Sequence, residues 1–475
     1  MLLSVLITAQ LSAQTISLQE FLDSARSEHP LVEREELAQA IATQRRAGLL
    51  TAEDWRLRGR AEYYHSKPNI SGDFSPSTID EFDLSAGLER SIWKSGGNLE
   101  LGWSSKATSQ TLSSLAFPGG ADPLQIGEPT LYENSLMLSY TQPLLRNFKG
   151  RLDRLEYDLA AYDEQLVRLQ AEENEEGFLL DLAIGFIDWV LLTEQVDIAE
   201  ERLRLAETER ELTADKRRAN LVDKVDVLRS EDAVRLASQN LVLARSQARA
   251  KQAELAVLAD LPLLQNRQPD YDLYATVELP TIAESARALA EEARVLRLLS
   301  TRAQQLERSR LGFSESEKPS LNAQVGLALK GGDESFVDAL GLARPDLLLG
   351  ITMSHPLGAR ASRNAVLQTE LESQQVEAQR RQLQLQLESQ LHSLLIQLDD
   401  LREILELNRQ QIESAREKTA EEQRLYNQGR SELNFVIQAE DNERNARLTF
   451  AQNAAGFHRM YQRYLALTDN LLPQN

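Results

Sequence analysis

Cysteine is absent from the 475-residue chain. That excludes disulfides, thiolate nucleophiles, zinc–thiolate sites and acyl-cysteine anchors together. Basic residues are too few to balance acidic ones: 52 Lys and Arg stand against 73 Asp and Glu, a net charge of −21. Such a surface repels phosphate backbones, so no nucleic acid is expected as a partner. The five histidines, His29, His65, His355, His392 and His458, are scattered, and no two have metal-ligand spacing on one element. There is no Walker loop, dinucleotide fingerprint or G-x-S-x-G elbow. The carboxylates of "EENEE" (172–176) fall on a long helical pattern and read as a solvated face, with an ion site as the alternative. No catalytic, cofactor or metal residues are therefore assigned. Long apolar runs are missing too: a membrane helix needs about 18 such residues. The nearest stretch, "LLDLAIGFIDWVLL" (179–192), is shorter, carries Asp181 and Asp188, and reads as a buried helix. A chain of this kind can cross a membrane only as a β-barrel.

The 42% apolar and 26% charged residues are what an ordered protein requires. The first residues, "MLLSVLITAQLSAQ", resemble the apolar part of a secretory signal with cleavage after Ala13. The basic residues that normally lead such a segment are missing, which leaves the true start open.

Proline is missing from two tracts of well over 100 residues, between Pro143 and Pro262 and between Pro356 and Pro473. Both show heptads. Leu152, Leu155, Leu159, Tyr162, Leu166 and Leu169 step by three and four, as do Leu387, Leu391, Leu394, Leu398, Leu401 and Leu405. This is the seam of a coiled coil. A helix over 150–217 would be roughly 100 Å long at 1.5 Å per residue.

Alternating segments precede each tract: 55–64, 82–92, 98–106 and 134–142 before the first, 321–330 and 346–354 before the second. Gly, Ser, Pro and Asp fill their connections, as turns require. In 55–64, Trp55, Leu57, Gly59, Ala61 and Tyr63 share one face, and Arg56, Arg58, Arg60, Glu62 and Tyr64 the other. The arginines favour a wet lumen over a dry core. Trp55, Tyr63, Trp93, Trp103 and Tyr140 fit either interfacial girdles or ordinary sheet packing.

The halves repeat. "SLQEFLDSARSEHP" begins one pair of helices at 17 and "IAESARALAEEARV" the other at 282, with helix ends expected at Gly48 and Gly312. Strands follow, then "TQPLL" (141–145) and "SHPLG" (354–358), then a long helix. "NLVDKVDVLRSED" (220–232) then aligns without gaps with "GRSELNFVIQAED" (429–441). The expected layout is a signal at 1–13 and a first repeat at 14–260, with helices 17–53, strands 55–142, a long helix 150–218 and a return helix 223–260. A linker at 261–281 leads to a second repeat at 282–472, with helices 282–312, strands 319–354, a long helix 358–427 and a return helix 431–470.

This order of motifs, from Ser17 to about Leu472, resembles the TolC family of bacterial outer membrane efflux proteins. The resemblance implies a mainly α fold with a β-barrel part. Three copies share one transmembrane β-barrel and one periplasmic α-barrel of long coiled-coil helices. It implies an outer membrane location with helices in the periplasm, and passive conduction from an inner-membrane RND or ABC pump through a periplasmic adaptor. The alternative reading is a soluble periplasmic coiled-coil scaffold. Two strands per half are the family's pattern, whereas the first half here offers four. The extra pair, 82–92 and 98–106, either enlarges the barrel to 18 strands per trimer or lies outside a 12-strand barrel.

By the same resemblance, adaptors dock at the turns between long and return helices: Asn220, Leu221, Val222 and Asp223 in one, Gly429, Arg430 and Ser431 in the other. Asn and Gly both reach the left-handed conformation that ends a helix, and Asp223 and Ser431 suit the following N-caps. The family's entrance latch maps onto Asp226 and Tyr426. Arg430 lies one residue before the family's basic position, which Ser431 occupies; the bland reading is that Tyr426 and Asp226 pack and cap the turns. The family's acidic ring falls on Phe435 and Gln438, so it does not transfer. Phe435 is then either an apolar constriction or a seam residue.

Overall fold

The computed structural model describes residues 14–69, 75–112 and 128–472, so the segment read as a signal, 1–13, lies outside the described residues. In chain order the elements are β1 (Gln14–Ser17), α1 (Leu18–Glu28), α2 (Pro30–Gly48), β2 (Arg56–Ser66), β3 (Pro76–Ile92), β4 (Gly97–Leu112) and β5 (Leu131–Pro143). Then come α3 (Leu155–Arg218), α4 (Lys224–Leu258), β6 (Arg267–Asp270), α5 (Ile282–Glu292), α6 (Arg294–Glu317), β7 (Ser320–Asp333), α7 (Phe336–Ala339), β8 (Arg344–Ser354), α8 (Arg360–Asn427) and α9 (Leu433–Leu467). They form two compact units. One comprises residues 14–39, 168–299 and 379–472; the other comprises the described residues of 40–167 and 300–378.

The first unit is helical. Its two half-repeats start alike, each with a capped helix: the Ser17 hydroxyl accepts from the Glu20 N–H at 3.2 Å, and Thr281 forms a reciprocal capping box with Glu284. The long apolar stretch of α3 is buried as expected: Leu182, Phe186, Ile187 and Trp189 are enclosed. Seam residues Leu387, Leu391, Leu398 and Leu405 of α8 join the same core, with Phe21 and Phe457. The linker enters this unit through β6, which pairs in parallel with β1. "EENEE" is not a solvated face. Glu176 is buried and accepts from Arg294 Nη1 at 2.9 Å and from the Leu471 N–H at 3.2 Å. Glu175 pairs with Arg26, and Asn174 donates to Glu35 at 3.1 Å. Burial pushes the Glu176 carboxyl up to about 7.

The second unit contains a six-stranded sheet of order β2-β3-β4-β5-β7-β8, antiparallel throughout. The extra pair of strands is thus part of one sheet, between β2 and β5. Gly312 does not end a helix: α6 runs on to Glu317. The reason is packing, since a Cβ at Gly312 would lie 2.5 Å from a methyl of Leu155.

Candidate functional site

Two places have features that a folded core alone does not require. The first is the sheet. Strand alternation puts every second side chain on one face, and the register lines these faces up across all six strands. Leu57 pairs with Leu88, Leu88 with Leu101, Leu101 with Leu138, Leu138 with Leu327 and Leu327 with Leu347. All six leucines are exposed, from 38% at Leu88 and Leu101 to 76% at Leu57. Ala61, Leu84, Trp103, Leu136, Val325, Leu349 and Ile351 extend this face. Three residues along each strand lies a row on the opposite face: Arg60, Ser85, Ser104, Ser135, Lys330 and Arg344. Burying one leucine side chain is worth about 1.5–3 kcal/mol. Leaving this row in water forfeits on the order of 10 kcal/mol, so the face is built for an apolar medium. The edge strands β2 and β8 are exposed along nearly their whole length.

The aromatic residues divide. Tyr63 is exposed on β2's apolar face, Trp55 is exposed just before β2, and Trp103 stands within the apolar band, between Ala86 and Leu136. Trp93 is not a girdle residue: it is buried in the turn after β3, its ring 5.7 Å from that of Tyr157. Tyr140 is tied by its hydroxyl to Ser95 and Gln142 at that same turn.

The second place is the pair of turns. They close by one geometry. The Leu221 N–H bonds the Lys216 carbonyl at 2.8 Å, and the Arg430 N–H bonds the Leu425 carbonyl at 2.9 Å. Between them sit left-handed residues, Asn220 at φ 59° and Gly429 at φ 71°. Each is a Schellman ending. The return helices then start differently. Asp223 is the N-cap of α4, and its N–H donates to Asp226 Oδ2 at 3.4 Å. On α9 the N-cap is Glu432, not Ser431. The Ser431 hydroxyl instead donates to Glu422 on α8 at 2.8 Å, tying the turn to the preceding helix.

Tyr426, Leu433 and Val436 form a small buried cluster with Leu212 and Ile437 against it. Thr213 is fully buried beside it, its hydroxyl 3.5 Å from that of Tyr426. Lys216 Nζ lies 3.4 Å from the Tyr426 ring centroid, a cation–π contact. It also reaches the Tyr426 carbonyl and Asn427. Desolvation lowers the Lys216 pKa and raises that of Tyr426. Asp226 takes its side-chain bonds from its own helix, from Asp223 and from Arg229 Nη1 at 3.3 Å. Tyr426 and Asp226 are not hydrogen-bonded to each other among the described residues. Leu221 is 74% exposed, and Phe435 and Gln438 lie on the open side of α9.

One member of this place was not read from the sequence. Glu209, two turns before the end of α3, is 5% exposed, and its Oε1 has no hydrogen-bond partner among the described residues. Burial, then Glu440, pushes its pKa up to about 8, against the pull of Arg202 and Lys216. Glu440 is itself buried and accepts from Arg202 Nη1 at 2.6 Å. The signal was the spacing Glu209, Thr213, Lys216, which places a carboxyl on the same helical face as the buried threonine.

No protein-family model and no curated protein matches the chain. Solved structures do, at low identity and over nearly the full length. The outer membrane protein VceC of Vibrio cholerae superposes with a TM-score of 0.65 at 12% identity, covering 95% of this chain and 96% of that one. The CmeC outer membrane channel of Campylobacter jejuni gives 0.64 at 10%, covering 95% and 85%. The open state of the Neisseria gonorrhoeae MtrE outer membrane channel gives 0.64 at 13%, covering 96% and 89%. The chain thus has the fold of TolC-type outer membrane channels.

Proposed function

We propose that this chain is the outer membrane exit duct of a tripartite efflux pump or type I secretion system. It acts as a homotrimer and conducts passively. Substrates pass from an inner-membrane RND or ABC pump, through a periplasmic adaptor, to the exterior. The observation that carries the reading is the leucine row: one apolar face, continuous over six strands, backed by a polar face. Outer membrane lipid is the medium that such a face needs, and neighbouring copies are the partners that the two bare sheet edges need. The shared fold with outer membrane channels supports the same reading.

The gate lies at the turns. Tyr426, packed on Lys216 and Thr213, holds α8 to α3 and closes the entrance. Asp226 and Arg430 are the charged groups that the turns offer to a neighbouring copy. Exposed Leu221, with Asn220, Val222, Asp223, Gly429, Arg430 and Ser431, forms the adaptor's docking surface. Phe435 and Gln438 face the opening, and three copies of Phe435 make an apolar constriction.

The test is extraction. The duct reading expects trimers that leave the membrane only in detergent and migrate faster on gels before boiling than after. A soluble scaffold expects the chain lacking residues 1–13 to stay in solution without detergent, and that result overturns the duct.

A further inference from the structure

We infer that three copies close an 18-strand barrel, in which the β3–β4 hairpin spans the membrane alongside the other strands. This rests on the trimeric duct proposed above and specifies the interface that completes it. Three observations carry it. First, β3 and β4 sit inside the sheet, bonded on both sides, so they cannot leave it without breaking the ladders to β2 and β5. Second, their apolar residues are level with those of their neighbours: Leu88 and Leu101 occupy the row between Leu57 and Leu138. Ser85 and Ser104 occupy the polar row between Arg60 and Ser135. A one-residue slip would exchange the two faces, so this alignment places both hairpin strands at the same depth in lipid. Third, the sheet has an even number of strands, so its edges β2 and β8 run in opposite directions. Each is 11 residues long. The β2 edge of one copy therefore meets the β8 edge of the next as an antiparallel pair, the pattern of a closed barrel.

The consequence is width. Barrel diameter grows roughly in proportion to strand number. With strands about 4.8 Å apart and tilted about 40°, 18 strands give a backbone diameter of about 36 Å, against about 24 Å for 12. Barrels of about 16–18 strands leave an open aqueous lumen.

The cysteine-free chain makes the test direct. Single variants Ser85→Cys, Ser104→Cys, Leu88→Cys and Leu101→Cys are made in the full chain and probed as trimers in the membrane with a charged, membrane-impermeant maleimide. Ser85→Cys and Ser104→Cys are expected to react. Leu88→Cys and Leu101→Cys are expected to react at least about tenfold more slowly, as lipid shields them. Equal reaction on both faces in intact trimers means that the hairpin lies in water, and overturns the 18-strand barrel while leaving the duct standing. Absence of trimers from the parent chain overturns both. A second variant removes residues 76–112 and carries Ser135→Cys on the lumen face. Its size cut-off for polymer-linked maleimides should fall by about one-third relative to Ser135→Cys alone; an unchanged cut-off overturns the inference.

Discussion

Two clusters in the helical unit hold the same kind of helices by different means. Around Phe186 the helices meet through a broad apolar core, with Phe21 at 5.3 Å, Trp189 at 5.6 Å and Tyr271 at 6.4 Å between ring centroids. Around Tyr426 only three residues are buried in the apolar cluster. The remaining closure comes from polar groups: Thr213, Lys216 and a carboxyl with an unpaired oxygen, Glu209. A dry core tolerates little movement. A small cluster edged by a buried, incompletely hydrogen-bonded carboxyl opens at lower cost. Apolar burial is thus concentrated away from the turns, as the gate proposed there requires.

The largest effect expected is at the core. Phe186→Ala should cost about 3–5 kcal/mol and lower the melting temperature of the whole protein. Leu433→Ala should cost about 2–4 kcal/mol, since it is buried at 2%, but locally: hydrogen exchange should quicken in α9 near the turn and stay unchanged near Phe186. If both variants melt the protein alike, the two clusters are one cooperative unit and the contrast fails.

A pH dependence comes next. In the folded protein Glu209 titrates at about 8, against 4.5 for a free glutamate. Folding therefore favours its protonated form. The contribution to stability is complete below about pH 4.5 and is lost as pH rises towards 8. Protection factors near the turns, which exclude the intrinsic rise of exchange with pH, should fall over that window, and Glu209→Gln should flatten their profile there. A profile that Glu209→Gln leaves unchanged would remove Glu209 from the closure. The smallest effect is that of Tyr426→Phe with Asp226→Ala. The first removes one 3.5 Å contact and keeps the ring on Lys216, and the second removes a turn bond. Together they should cost about 1–2 kcal/mol, with raised conductance and vancomycin sensitivity. Both unchanged would exclude these residues from the gate.

What could be read from the sequence was local. The α8 seam at Leu387, Leu391, Leu398 and Leu405, the alternation of the strands and the left-handed residues Asn220 and Gly429 are set within a few positions of chain, and so were legible; the seam read over 152–166 is only half-buried, and the core takes Leu395 rather than Leu394. What depended on distant partners was not. The burial of Glu176 is decided by Arg294, and the burial of Glu209 by helices from the other half-repeat. The place of the β3–β4 hairpin required the register with β2 and β5, which alternation alone does not fix. The cap of α9 falls on Glu432 rather than Ser431, whose hydroxyl is engaged by Glu422, a partner nine residues back on α8.

Single-channel recording of the purified trimer in a planar bilayer tests the duct and its gate together. The parent should give discrete channels of low conductance. Leu433→Ala should give the same channels, opened wider or for longer. A bilayer that stays silent with both proteins would contradict the reading of this chain as a gated outer membrane duct.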